Sequence, residues 1–337
     1  CPSTAITYDA PPVAHVLQRM GVLARTFRDA GGKNPRLLIH DEHGAELIRL
    51  AARFSRGLPA DVIPLELDVI SGFGHSEMLA ALALGFASVS VILAPTTERD
   101  ALTRELVLAE AIAGPGKLVL LDETDPEAMS NVLYDFETKP SLMETVLPLG
   151  NRRQIARLSA QALNPNSDVP LPLPDNAPYG AVLVDTDACT LCLSCVSLCP
   201  SGALIDNPDM PQLRFQEDAC LQCGICATVC PESAISLQPQ LDLSDAALGQ
   251  RVLNEEEPCA CVECGALFGV KSTVDKIMEK LAGSHPMFAS SDQARMIQMC
   301  DDCRVKAQFA VTDNPFQSGE KPRVRTSEDY FTKRRDH

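Results

Sequence analysis

The residues with the clearest chemistry in this chain are its cysteines. Fourteen occur in 337 residues. One is Cys1, the rest lie between Cys189 and Cys303, and residues 2–188 contain none. Disulfide frameworks belong to short secreted chains, whereas tight cysteine clusters inside a longer chain point to metals. The same usage points to a reducing, cytoplasmic compartment. Two runs share one spacing, Cys189-x2-Cys192-x2-Cys195-x3-Cys199-Pro200 and Cys220-x2-Cys223-x2-Cys226-x3-Cys230-Pro231. Their flanks repeat as well. Ala181–Asp185 and Gln212–Phe215 lead in, and Ser201–Ile205 and Glu232–Ser236 lead out. Each half therefore reads as a strand, a cysteine loop, a short helix and a returning strand.

On these residues, 180–240 resembles the two-cluster [4Fe-4S] bacterial-type ferredoxin family along its whole length. The resemblance implies cluster I on Cys189, Cys192, Cys195 and Cys230, and cluster II on Cys220, Cys223, Cys226 and Cys199. Three thiolates of one loop reach three iron corners, and the cysteine before proline serves the other cluster. Two structural zinc sites are the alternative, but zinc favours paired CxxC hooks over this run. Leu191, Val196, Ile225 and Val229 would shield the clusters, leaving one-electron transfer as the available chemistry. Acidic residues outnumber the single base, Arg214, in this segment. Its exposed face is expected to be negative and to suit a redox enzyme or oxidoreductase subunit with a basic docking face.

A third group follows: Cys259-x-Cys261-x2-Cys264-Gly265 and, further on, Cys300-x2-Cys303. Two CxxC pairs outline a zinc ribbon, with Gly265 allowing backbone amides close to sulfur. Lys271–Leu281, between the pairs, reads as a helix. The surroundings resemble the C-terminal extension of some ferredoxin-like subunits of formate-linked hydrogenases. We expect zinc on Cys261, Cys264, Cys300 and Cys303, in a structural role. The fifth thiol, Cys259, is either a spare or the sign of a further Fe–S cluster.

Apolar residues form 45% of the chain, enough for a sizeable core to position these thiols, and aromatics only 4%. A net charge of −16 and the scarcity of aromatics argue against nucleic-acid binding. Met78–Thr97 is uncharged but is divided by Gly85 into a helix-like and a β-branched part, so no membrane span is expected. A helix over Val13–Ala30 precedes alternating elements: strands at Arg36–Ile39, Val62–Leu67, Ser88–Leu93 and Leu118–Leu121, helices at Glu42–Arg56 and Glu98–Ala113. The turn Ser71–Gly74 opens a helix of its own, and another helical segment runs to about Leu163. Strands spaced by helices imply a small parallel sheet.

The expected architecture is an α/β N-terminal domain plus an α+β ferredoxin-like module and a small Cys-rich zinc-ribbon-like C-terminal segment. Residues 1–32 form an N-terminal helix behind the end of a truncated cysteine motif, and 33–163 an α/β docking domain. Residues 164–179 are a proline-rich, semi-stiff linker and 180–240 the dicluster domain. Residues 241–320 carry the zinc-type cysteines and 321–337 a loose basic tail. The truncation is inferred from Cys1-Pro2-Ser3-Thr4-Ala5-Ile6, which copies the exit Cys-Pro-x-x-Ala-(Ile/Leu) of both internal motifs; a lipid-bearing or ordinary terminal cysteine are the alternatives.

Residues 36–113 loosely resemble the delta subunit of methyl-viologen-reducing hydrogenase, a family that joins hydrogenase to heterodisulfide reductase and carries cysteines at its strand ends. Here those positions hold Ile70-Ser71-Gly72, Pro95-Thr96-Thr97 and the pair His40/His43, so the family's cluster argument falls away. A metal at His40/His43 and a phosphate at Ser71–His75 are the sharper readings; surface histidines and a plain tight turn are the commoner ones. The domain is expected to be a docking platform without its own cofactor. The function expected of the whole is iron–sulfur electron transfer to or from a larger redox enzyme, without catalytic residues of its own. The resemblance points to the ferredoxin-type proteins that accompany formate dehydrogenases. An assembly or redox-sensing factor for such an enzyme is the alternative, and a zinc scaffold a third.

Overall fold

The computed structural model describes residues 12–167, 169–281 and 294–310. Two compact units emerge. The first takes the chain up to Asp187 with Leu193–Ile205 and Arg214–Leu253; the second takes Ala188–Cys192, Asp206–Leu213 and the chain from Asn254. Cys1 and the basic tail lie outside the described residues, so the expectations placed on them are not addressed.

In the first unit α1 (Val13–Asp29) leads into β1 (Arg36–His40), α2 (Glu42–Phe54), β2 (Val62–Glu66), α3 (His75–Ala83), β3 (Ser88–Ile92), α4 (Arg99–Ala113) and β4 (Leu118–Leu121). The four strands form one parallel sheet in the order β2-β1-β3-β4. β1 and β3 are buried throughout, as central strands of a parallel sheet covered on both faces are. Adjacent residues of β1 serve opposite layers. Leu37 and Ile39 join the core built with α1, α3 and α4, while Leu38 faces α2 and a further helix, α5 (Pro126–Asp135).

The uncharged stretch is a helix and a strand, as its break suggested. All residues from Ser76 to Ala94 are buried, and Gly85 turns the chain between α3 and β3 at φ 98°. That φ strains any L side chain, and a Cβ there would also press on Thr145 and the Arg28 guanidinium. No helix among the described residues is long and apolar enough to cross a membrane.

Two local expectations need amendment. The helical segment that runs to Leu163 is α6 (Arg152–Leu163), and α5 before it is a helix that the sequence reading does not place. Each has its own start: Asp125 caps α5 ahead of Pro126, and Asn151 with Gln154 makes a capping box on α6. The proline-rich stretch is extended, as read, yet it is tied down. Its β5 (Leu171–Pro172) is an edge strand, where a missing amide is tolerated, and Ala177 and Tyr179 enter the main core.

β5 pairs antiparallel with β9 (Ile235–Leu241), and β9 with β6 (Gly180–Val184), so the sheet runs β5-β9-β6. In chain order the repeated halves are β6, α7 (Ser194–Ser197) and β7 (Leu204–Asp206), then β8 (Gln212–Phe215), α8 (Ile225–Val229) and β9. This is the order of elements read from the flanks.

Two arginines one turn apart on α6 fasten the first unit internally. The buried Arg157 donates to the carbonyls of Asp242 at 2.7 Å and Ser244 at 2.6 Å. Arg153 donates to those of Pro178 at 2.7 Å, Cys220 at 2.6 Å and Asp218.

After β10 (Arg251–Glu255), the second unit has an antiparallel hairpin of β11 (Pro258–Ala260) and β12 (Leu267–Val270), then α9 (Lys271–Leu281) and α10 (Asp301–Ala310). Thr273 on α9 donates to the Thr190 carbonyl at 3.1 Å, and the Glu256 amide to Pro211 at 3.0 Å.

Candidate metal centres

The two cysteine loops share an unusual backbone. Leu191 and Gln222 occupy equivalent positions and have φ of 50° and 51°. Leu193 and Gly224 are equivalent at 57° and 79°, and Gly202 and Ser233 at 67° and 52°. Left-handed backbone costs a non-glycine residue about 1–2 kcal/mol. Four such residues at paired positions mean that both loops are held to one shape that serves the thiols.

That shape turns amides toward sulfur. The Gln222 amide lies 3.5 Å from Cys220 Sγ, and the Gln222 side-chain amide 3.4 Å from it. The same side chain donates to the Ala181 carbonyl at 3.1 Å, which fixes its orientation. The Ala234 amide lies 3.3 Å from Cys230 Sγ. In the first motif the Ala203 amide is among the donors to Cys199. The alanine of the repeated Cys-Pro-x-x-Ala thus has a physical role: it offers the amide four residues after the thiol.

Cys199, Cys220, Cys223 and Cys226 line one recess with Val182, Leu204, Phe215, Ile225 and Leu237. Their thiols respond to one another. Burial, joined by like charge on Cys220, Cys223 and Cys199, pushes Cys226 up to about 11. Burial also raises Cys220, with the Gln222 donors and Arg153 opposing it. Cys199 is lowered: burial works against its thiolate, but hydrogen bonds from the Leu204 amide, the Ser201 hydroxyl and the Ser201 and Ala203 amides outweigh it. Four thiols, apolar walls and a set of inward amides fit an anionic cluster needing four thiolates and hydrogen bonds to sulfur. Of the other set, Cys195 and Cys230 lie in the first unit, Cys189 and Cys192 in the second.

Residues 188–235 match the family model of the 4Fe-4S dicluster domain. The match spans both cysteine runs and supports a ferredoxin-type segment that binds 4Fe-4S clusters. No curated protein matches the chain.

The third group converges differently. The sulfurs of Cys261, Cys264, Cys300 and Cys303 all lie within 4.8 Å of one another. The hairpin presents the first pair: the Gly265 amide closes on the Cys261 carbonyl at 2.9 Å, with Gly265 at φ 73°. The start of α10 presents the second, and the Cys300 amide lies 3.3 Å from Cys261 Sγ. Burial opposes ionisation of Cys261, but the amides of Cys264, Cys300 and Glu263 bring it down to about 6. Hydrogen bonding to Cys264 and Cys300 drives Cys303 up to about 12. Four convergent thiols fit a divalent cation that would bind them as thiolates. Tetrahedral zinc at about 2.3 Å from each sulfur sets edges of roughly 3.8 Å, close to the spacing here. A cubane places each sulfur on a different iron and needs wider separation. Cys259 is not in the group; it sits on β11 opposite Phe268.

Other singled-out residues stand apart from the thiols. His40 ends β1 with Nδ1 3.0 Å from the Asp41 carbonyl, and His43 lies in α2. At the Ser71–His75 turn, His75 Nδ1 meets Glu105 at 2.5 Å and Nε2 meets the Tyr179 hydroxyl at 2.7 Å. Burial raises Tyr179 to about 12, and the Arg153 guanidinium stacks 4.5 Å from its ring centroid. Sequence reasoning missed Arg153, Tyr179 and Gln222. A signal existed: Arg153, Ala156, Arg157 and Ala160 share one helical stripe with small residues, where arginine needs buried acceptors.

Proposed function

We propose that the chain is an iron–sulfur electron-transfer protein that passes single electrons to or from a larger redox enzyme. Cluster I would rest on Cys189, Cys192, Cys195 and Cys230, and cluster II on Cys199, Cys220, Cys223 and Cys226. Each [4Fe-4S] cluster supplies one-electron chemistry between two oxidation levels. The protein's share is to hold the thiolates, donate amides to sulfur and exclude water with Val182, Phe215 and Leu237. The observation that carries this reading is the recess in which Cys199 of the first run joins Cys220, Cys223 and Cys226 of the second. A structural zinc on Cys261, Cys264, Cys300 and Cys303 completes the proposal. The partner we favour is a formate dehydrogenase with a basic docking face, met by an α/β domain that serves as a platform.

Anaerobically purified protein tests it. The expected content is about eight irons, eight sulfides and one zinc, four of each per cubane by formula. The reduced protein should show two interacting paramagnets and be reoxidised by the partner at catalytic rates. Zinc alone in the purified protein, or no reversible reduction, would overturn the reading. A redox-sensing or assembly factor is the second reading, favoured by the clamp of α6 on the Cys220 loop. It calls for partner affinity that changes with redox state and for no rapid turnover.

A further inference from the structure

Cluster II has surroundings that its own cysteines do not explain. Arg153 reaches from α6 to the Cys220 carbonyl at 2.6 Å and is held there by two more carbonyls, those of Pro178 and Asp218. The stack on Tyr179 fixes the plane of its guanidinium, and Tyr179 is itself anchored by His75 at 2.7 Å. None of the three carbonyls carries a formal charge. The Asp218 carboxylate acts on Arg153 and ion-pairs with Arg157 at 3.7 Å, so two guanidiniums face one carboxylate and the balance beside the cluster ligand is positive. Gln222 adds a second donor, its side-chain amide 3.4 Å from Cys220 Sγ. The equivalent residue of the other loop, Leu191, is a hydrocarbon with no donor to offer.

Positive charge and hydrogen bonds to thiolate sulfur both favour the reduced cluster, which is one unit more negative. We propose that Arg153 and Gln222 are positioning residues that raise the reduction potential of cluster II. The electron on the dicluster segment then rests where the α/β domain touches it, so the α/β domain senses and sets the charge state of that cluster. The inference rests on the reading that these thiols hold a cluster.

The test is a redox titration of the whole chain with dithionite, followed by electron paramagnetic resonance. The component lost in Cys199→Ser identifies cluster II. Gln222→Leu, which copies the residue of the first loop, and Arg153→Met should each lower the cluster II midpoint. A tenfold loss in the reduction equilibrium, about 59 mV for one electron, is expected for Arg153→Met. Arg153→Lys keeps the charge without the fork and should recover part of the shift. The cluster I midpoint should stay in place. If Arg153→Met loses the cluster by misfolding, Gln222→Leu decides. Wild-type iron content with an unmoved cluster II midpoint in Gln222→Leu and Arg153→Met overturns the inference, as does an equal shift of both clusters. Absence of iron from the parent protein would instead sink the cluster reading beneath it.

Discussion

Arg157 is the firmest place to break the link between α6 and the strand that closes the dicluster segment. Its side chain is 8% exposed and donates two hydrogen bonds, to the carbonyls of Asp242 at 2.7 Å and Ser244 at 2.6 Å. Arg157→Met keeps much of the apolar stem and removes both donors. A hydrogen bond from a charged donor is worth about 1.5–3 kcal/mol, so the pair sets an upper figure of ~6 kcal/mol. Two effects reduce it. The variant no longer buries a guanidinium, and the freed carbonyls sit in a part-exposed loop where water can reach them. The ion pair to Asp218 at 3.7 Å adds little, since the carboxylate is a quarter exposed.

The expected net loss is about 3 kcal/mol, or roughly a hundredfold rise in local opening at 1.4 kcal/mol per decade. Native-state hydrogen exchange read by mass spectrometry suits the question, because it needs no unfolding of bound clusters. Amides of residues 242–248 should exchange about a hundredfold faster, while those of α2, on the opposite face of the sheet, keep their rates. A change of less than about threefold at 242–248 would mean that Leu241 and Leu243, both in the main core, hold the segment alone. Arg157 would then contribute nothing measurable to holding the segment.

Three more expectations follow from the thiols and from Glu105. Cys199→Ser should remove about four irons and the cluster II signal while sparing cluster I; loss of cluster I alone refutes the crossed ligation. Cys264→Ser should abolish zinc binding and expose the hairpin and α10 to proteolysis, whereas Cys259→Ser should leave zinc at one per chain by elemental analysis. For Glu105, burial works against its charge, but His75 outweighs it and holds the carboxyl below its ordinary 4.5. A depressed carboxylate stabilises the fold above its unfolded value and loses that stabilisation as pH falls through the folded one. Thermal unfolding followed by circular dichroism should therefore show wild type losing stability below pH 4.5 more steeply than Glu105→Gln. Parallel curves would show that the His75–Glu105 contact has no linked energy.

What the chain displayed openly was whatever depends on neighbours in sequence. The buried strands β1 and β3, the start of α2 and the boundaries of α9 all follow from patterns within a few residues. The spacing of the cysteines is equally local. The start of α5 has an equally local signal, Asp125-Pro126-Glu127, which the sequence reading passes over. The clamp of α6 was not legible. Arg157 finds its acceptors 85 and 87 residues away, and those acceptors are backbone carbonyls with no side-chain identity to read. The five prolines of the supposed linker exclude a central strand; they leave an edge strand open, and β5 is one.

In the function proposed above, the same Cys-x-x-Cys spacing serves two different ends, and the two places differ in the hand of their backbone. In the dicluster loops a left-handed residue precedes the second cysteine, Leu191 at φ 50° and Gln222 at 51°, and another follows it, Leu193 at 57° and Gly224 at 79°. In the second loop this backbone brings the Gln222 amide to 3.5 Å from Cys220 Sγ, the kind of donor that an anionic cluster's sulfurs accept. In the hairpin the turn from Cys261 to Cys264 has its left-handed residue only afterwards, at Gly265 with φ 73°. The second pair, at the start of α10, meets these thiols within 4.8 Å, a spacing that fits a single ion. Residue identity alone hides this difference, because three of the four left-handed positions in the dicluster loops are leucine or glutamine. Those side chains are poor left-handed formers, so the loop shape is imposed by what the thiols bind and by the strands on either side. A Leu193→Gly substitution would relax the local cost without altering the thiols. Iron content should therefore be kept, and apo-protein should recover its clusters at least as fast as wild type. Slower recovery would mean that the leucine side chain, which the other loop replaces with Gly224, contributes shielding that outweighs its strain.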